Sequence, residues 1–259
     1  MIEIAGVSRE FAKEGRSVVA LQGIDLAVRE GEFVALLGPS GCGKSTLLNM
    51  VAGFDFPTAG SVRVAGETVR APSPQRGVVF QEPALFPWFS VMDNVVFGPK
   101  TRGEKAADYR PRAMQILEQV GLRGFEDAYP AELSGGMRQR VGIARVLMLE
   151  SRVMLMDEPF GALDALTRSV LQKELMVLWR ETKKTILFIT HSADEAIYLA
   201  DRVLVMTPRP GKIVLELKID LPRPRDLTSP DFNKYKREIL DVINPTLQSH
   251  AGGLHSAVH

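Results

Sequence analysis

Short apolar runs and helically spaced apolar stripes alternate along most of this chain. Phe33–Leu37 is a nearly unbroken apolar run ending at Gly38, and Val153–Met156 and Ile186–Ile189 read the same way. Such runs suit strands buried on both faces of a parallel sheet. Each is followed by text of helical period. Lys44–Ala52 carries Leu47, Leu48 and Val51 on one face, with Gly53 placed to end the helix. Leu171, Leu175, Leu178 and Trp179 mark a second helix, and Ser192-Ala193-Asp194-Glu195 is a capping box that opens a third. Alternation of strand and helix predicts a parallel α/β core.

Two regions break the alternation. Ile2–Ile4, Val18–Leu21 and Ile24–Val28 read as short strands separated by polar or glycine-containing turns, and Ser61–Val64 and Gly77–Phe80 return to strand-like text. From 82 to about 150 the text is helical. Ala113, Ile116, Leu117 and Val120 form one stripe, with Pro111 near its start and Gly121 after it, and Met137, Val141, Ala144 and Met148 form another. This stretch is expected to be a separate lobe. Toward the C-terminus, Val203–Met206 and Lys212–Asp220 flank the turn Pro208-Arg209-Pro210-Gly211. Pro230 opens a short helix over Ser229–Ile243, and residues from about Ser249 onward are expected to be mobile.

Composition narrows the classes. A length of 259 residues suits one large domain, or one domain with a lobe. The net charge of +1 implies no polybasic surface and gives no support for a nucleic-acid partner. Cys42 is the single cysteine, which excludes an internal disulfide and fits a reducing cytosol. The N-terminus does not read as a signal peptide, and no apolar run approaches the roughly 18–20 residues of a membrane span. Work at a membrane would therefore require docking onto something that crosses it. His250, His255 and His259 have no convincing metal-site spacing.

The chemistry lies between the elements. Gly38-Pro39-Ser40-Gly41-Cys42-Gly43-Lys44-Ser45-Thr46 is a phosphate-binding loop of the form G-x-x-x-x-G-K-[ST], with the strand before it and the helix after it that such a loop requires. Glycines let the backbone approach phosphates, and the amides and helix N-terminus attract their charge. Lys44 is expected on the β- and γ-phosphates and Ser45 on Mg²⁺. Val153–Met156 delivers Asp157 and Glu158 at a strand's C-terminal end, where ligands of open α/β sheets bind. Asp157 suits Mg²⁺, and Glu158 suits polarising an attacking water. Alone the pair also reads as a solvated acidic turn. Ser134 can cap the helix near Met137 beside Gly135 and Gly136, making a second anion site, or a plain helix cap. Gln81 and His191 each close an apolar run. In isolation one reads as a polar strand end, the other as a cap or core histidine.

Taken in order, these segments resemble the ATP-binding cassette (ABC) ATPases, in which Leu133-Ser134-Gly135-Gly136 is the part that other phosphate-loop proteins lack. Gln139 and Arg140 also match. The resemblance implies a phosphate-loop NTPase (RecA-like) parallel-sheet core with an N-terminal antiparallel β-subdomain and an inserted α-helical lobe. Residues 1–81 and 151–205 would form the nucleotide-binding core, 82–150 the lobe, and 206–259 a C-terminal extension. It assigns Gln81 to Mg²⁺ or water sensing, His191 to the γ-phosphate, and Ala162-Leu163-Asp164-Ala165 to subunit contact. Phe11 falls where the family stacks an aromatic ring on adenine; it also reads as a core residue of an early hairpin. Two copies would sandwich two ATP head to tail, Ser134, Gly135 and Gly136 of one subunit reaching the ATP held by the other.

Gln81–Trp88, Met206–Ile213 and Asp220–Arg225 look like the nitrate, sulfonate and taurine branch of bacterial importers. That branch implies a homodimer on integral-membrane permease subunits at the inner face of the cell membrane, with an external solute-binding protein. The apolar Ala84-Leu85-Phe86-Pro87-Trp88 is expected to help form a groove for a permease helix. DNA-repair and chromosome-organising members insert long heptad coiled coils, and none is present. Translation-associated members usually carry two cassettes. A GTPase would want an N-K-x-D segment, which is not found. The solute is bound by other subunits, so this chain does not carry its identity.

Overall fold

The computed structural model describes residues 1–13 and 16–254. In chain order the elements are β1 (Ile2–Lys13), β2 (Arg16–Val28), β3 (Phe33–Leu37), α1 (Lys44–Ala52), β4 (Ala59–Val64), β5 (Glu67–Thr68), β6 (Arg76–Val79), α2 (Val91–Thr101), α3 (Ala106–Gln119), α4 (Gly135–Met148), β7 (Val153–Asp157), α5 (Ala165–Thr182), β8 (Thr185–Thr190), α6 (Ala193–Leu199), β9 (Arg202–Met206), β10 (Ile213–Lys218) and α7 (Pro230–Leu254). They form two compact units: Met1–Pro72 with the segment from Thr185 onward, and Ser73–Lys184.

In the first unit, β2-β1-β4-β5 make an antiparallel sheet. The short strands expected before residue 33 are in fact two long strands, β1 and β2, paired antiparallel along their length. Gly6 and Gly23, at φ 57° and 58°, lie where the β1–β2 register shifts, so these glycines mark bulges rather than turns. The second sheet of this unit runs β10-β9-β3-β8, with β3 parallel to β8 and β9 and β10 antiparallel to β9. Every residue of β3 and β8 is buried. The rings of Phe33 and Phe188 lie 5.8 Å apart. Leu47, Leu48 and Val51 of α1 are buried as their spacing predicts. Each such side chain contributes about 1.5–3 kcal/mol by leaving water, which makes these strands a firm base for the loops at their ends. Helix α7 begins at Pro230 but continues past Ile243, with Phe232 and Ile239 buried two turns apart. Ser249 therefore lies within a helix. The His250 side chain and residues 255–259 are outside the described part of the chain.

In the second unit, β6 and β7 pair in parallel, Val79 opposite Met156. The predicted apolar stripe of α3 is buried, as are Val141, Ala144 and Met148 of the α4 stripe, while Met137 at its start is half-buried. Three boundaries differ from the sequence reading. Residues 82–90 are not helical, because Pro83 and Pro87 interrupt the run and α2 starts only after Ser90, whose Oγ accepts the Asp93 N–H at 3.1 Å. Helix α3 starts at Ala106, so Pro111 lies inside it rather than at its first turn. Helix α4 starts at Gly135 instead of near Met137, directly after the capping Ser134.

Candidate nucleotide site

In the first unit the phosphate loop leaves the buried end of β3 and turns into α1. Gly43 occupies the cap position at φ 100°, ψ 7°, left-handed geometry that a side chain resists; a Cβ there would lie 2.5 Å from Leu21 Cδ2. Gly41 is also left-handed, at φ 77°. The first turn of α1 carries no acidic residue, so the positive end of its dipole is not offset. Lys44, largely buried, donates from Nζ to the carbonyls of Gly38 at 2.8 Å and Pro39 at 3.0 Å. Its ammonium is thereby held over the loop. Burial pushes the Cys42 thiol up despite the nearby lysine, which favours its neutral form. Ser45, exposed, and Thr46, half-buried, follow in the same first turn of α1.

His191 follows β8, and the last pairing of that strand sets Thr190 opposite Leu37, the residue before the loop. The histidine is exposed. The turn that carries it is tied down: Thr190 Oγ1 donates to Glu195 Oε2 at 2.5 Å and accepts the Ser192 N–H at 3.0 Å, while Ser192 Oγ accepts the Glu195 N–H at 3.3 Å. Phe11 sits on β1 opposite Val18 of β2. It is 41% exposed, with the Arg9 guanidinium 4.5 Å from its ring centre. It is a surface aromatic, not a core one.

In the second unit, Gln81 and the Asp157–Glu158 pair leave the same ends of the parallel strands β6 and β7. Glu158 is held at φ 44°, a left-handed conformation uncommon for a side-chain-bearing residue. Gln81 packs beside Gly161, where a Cβ would meet its Nε2 at 3.3 Å. An open cleft joins Gln81, Pro83, Gly135, Arg138, Gln139 and Leu163. Gln139 is buried and donates to the Phe80 carbonyl at 3.3 Å, bracing α4 against the segment that carries Gln81.

Ser134 caps α4 through a 3.2 Å bond from the Met137 N–H. The two glycines after it differ. Gly136 is buried, and a Cβ there would lie 2.6 Å from the Thr167 methyl, so it is required by packing on α5 and does not present an open surface. At Gly135 the nearest atom to a Cβ is 3.8 Å away, and the residue is exposed. Asp164 caps α5 by accepting the Leu166 and Thr167 N–H groups.

The sequence did not point to Asn94 and Arg145. Fully buried Asn94 accepts the Phe86 N–H at 2.9 Å and donates to the carbonyls of Phe86, Phe89 and Ser90. Arg145 donates to the Ala84 carbonyl at 2.8 Å and to Asn94 at 3.0 Å, its guanidinium 5.3 Å from the centre of the Phe86 ring. Together they shape residues 84–90. An asparagine among apolar residues on a helix was the available signal.

A glycine-rich loop that aims a helix N-terminus and a lysine at one spot, in a chain that also carries an LSGG cap, defines the nucleotide-binding cassette class. The chain belongs to the ABC transporter family, whose profile matches residues 21–161. It is 50% identical over 242 residues to an uncharacterised ABC transporter ATP-binding protein of Methanocaldococcus jannaschii, covering 93% of this chain and 91% of that one. It is 47% identical over 250 residues to a taurine import ATP-binding protein of Jannaschia, covering 93% of each, and 44% identical over 245 residues to an aliphatic sulfonates import ATP-binding protein of Bacillus subtilis, covering 95% of each. Among solved structures, a dimeric ATP-binding cassette in a post-hydrolysis state with ADP and phosphate superposes with TM-score 0.75 at 30% identity, covering 86% of this chain and all of that one. A Clostridium perfringens cassette described as part of a larger ABC transporter complex covers 98% of each chain at TM-score 0.77 and 27% identity.

Proposed function

We infer that this ABC ATP-binding subunit dimerises around two ATP and hydrolyses them to drive uptake of a small anion, a sulfonate or taurine being the class its relatives' names favour. Nitrate belongs to the same branch reading. The observation that carries the ATPase reading is the phosphate loop, with Gly41 and Gly43 left-handed and Lys44 held against its carbonyls.

The residues fit a nucleotide and its cation. Gly38–Thr46 would cradle the phosphates, with Lys44 on the β- and γ-phosphates and Phe11 stacked on adenine through its exposed ring. Ser45, Gln81 and Asp157 supply oxygen donors of the kind Mg²⁺ takes, and the ion would neutralise charge on the phosphate oxygens. Glu158 takes the proton of the attacking water as its oxygen bonds to the γ-phosphorus and the bond to ADP breaks, and His191 steadies the γ-phosphate. Ser134, Gly135 and Gly136 would close over the ATP held by a second copy, a role supported by the dimeric cassette relatives. The described residues include no helix long and apolar enough to cross a membrane. Permease subunits would supply the pathway, with this chain at their cytoplasmic face and a solute-binding protein acting from the other side.

Mg-ATP titration and steady-state hydrolysis of wild type and Lys44→Ala test the reading. ATP affinity is expected to fall about tenfold or more on loss of a charged hydrogen-bond donor. Unchanged affinity refutes the site. Transport by vesicles holding the permease, supplied with a sulfonate, taurine or nitrate, tests the solute class.

A further inference from the structure

The turn between β9 and β10 packs directly against the phosphate loop. Arg209 donates from Nε to the Gly41 carbonyl at 2.9 Å. Gly211 is bonded on both sides to β2, its N–H to the Ala20 carbonyl at 2.9 Å and its own carbonyl to the Gln22 N–H at 3.1 Å. A Cβ on Gly211 would lie 2.0 Å from the Cys42 carbonyl oxygen, and one on Gly38 would lie 2.9 Å from the Met206 carbonyl. Thr207 closes the turn, accepting the Lys212 N–H at 3.0 Å and donating to the Pro210 carbonyl at 3.1 Å.

A loop that turns its N–H groups toward an anion turns carbonyls the other way, and those carbonyls need donors. Lys44 serves Gly38 and Pro39, and Gly43 accepts the Leu47 N–H at 2.9 Å. The Gly41 carbonyl, at the exposed tip, is served by Arg209. We propose that Arg209 is a positioning residue of the nucleotide site: it holds the tip of the phosphate loop in its anion-binding form before nucleotide arrives, and its charge adds attraction for the phosphates. This rests on the nucleotide reading above. Because it acts through the loop, it serves ATP and ADP alike.

Full-length wild type, Arg209→Met, Arg209→Lys and Lys44→Ala are compared by calorimetric titration with Mg-ATP and Mg-ADP, by melting without nucleotide, and by steady-state ATPase. Arg209 is exposed, so Arg209→Met is expected to melt within about 2 °C of wild type. Its Kd for both nucleotides is expected to rise about tenfold, the loss of one charged hydrogen bond. KM rises with it while kcat stays within about twofold. Arg209→Lys, which keeps charge and a donor, recovers most of the loss. Wild-type affinity in Arg209→Met with binding lost in Lys44→Ala overturns this inference alone. Wild-type affinity in both overturns the nucleotide reading and this inference with it. Weakening of ATP but not ADP overturns positioning in favour of a direct γ-phosphate contact. Weakening matched by a fall of more than about 5 °C in melting temperature overturns it as well, since the residue would then be holding the fold.

Discussion

Leu37 on β3 and Thr190 on β8 are register partners in a parallel ladder, and the residues that follow them are Gly38 of the phosphate loop and His191. Neighbouring strands are about 4.8 Å apart, so the strand ends bring the loop and the histidine's turn to one edge. The Thr190 hydroxyl then ties that turn to Glu195. Thr190→Val keeps the shape and removes the hydroxyl, taking one donor from a buried carboxylate. A loss of about 1–3 kcal/mol in unfolding free energy is expected. Turnover is expected to fall while ATP affinity holds, because the lysine is untouched. Chemical denaturation and a kcat-against-Kd comparison check this.

Glu158 combines an acid with a left-handed backbone. Glu158→Gln keeps size and removes the base, so it is expected to bind ATP, hydrolyse it very slowly and accumulate an ATP-bound dimer on size-exclusion chromatography. Glu158→Gly also removes the base but relieves the backbone, and its stability is expected to rise by up to about 1 kcal/mol. Wild-type turnover in either variant would contradict the assigned role.

The adjacent glycines of the LSGG segment are expected to separate packing from ligand approach. Gly136→Ala forces a methyl to within 2.6 Å of Thr167 and is expected to cost about 1–3 kcal/mol. Gly135→Ala meets nothing closer than 3.8 Å, so folding is expected to be unchanged while ATPase activity falls. Melting curves read beside hydrolysis rates decide it. Full activity in Gly135→Ala would reduce this segment to a helix cap.

Phe86 and Trp88 sit differently within one apolar segment. Phe86 packs with Phe89 and Phe97 at ring-centre distances of 5.4 and 4.7 Å, whereas Trp88 is 68% exposed. Phe86→Ala is expected to destabilise the isolated subunit by about 2–4 kcal/mol, somewhat less than a fully buried phenylalanine. Trp88→Ala is expected to leave folding and basal ATPase intact and to impair assembly with the permease. Normal assembly in pull-down from membranes would rule out docking there.

Hydrogen bonds hold the Asp164 carboxyl below its ordinary value of 3.8, first among them that from the Thr167 N–H, then its side chain and the Leu166 N–H. A depressed folded-state value means the unfolded chain binds the proton more readily in acid. This contribution is complete above the unfolded value and is lost as pH falls through the folded one. Wild type is thus expected to lose more stability than Asp164→Asn between about pH 4 and pH 2, a difference read from melting temperatures across that range. Parallel curves would show that the cap does not titrate.

Much was legible in the sequence alone. Local chemistry determined the phosphate loop, the acidic strand end after Val153–Met156, the LSGG cap and the strand–helix alternation, because glycine geometry, capping and burial period act over a few neighbouring residues. The hairpin around Pro208–Gly211 was legible for the same reason. What needed tertiary structure depended on residues far apart in the chain. Gly6 and Gly23 looked like turns because nothing local shows that two long strands pair across them. Gly135 and Gly136 looked alike until Thr167 came against one of them. Nothing local to Asn94 shows that Arg145, far along the chain, donates to its side chain. Arg209 was a branch marker in the sequence, and only the fold sets it on Gly41, far earlier in the chain. Packing and hydrogen bonding between distant segments depend on where the whole chain puts them, and a local pattern does not encode that placement.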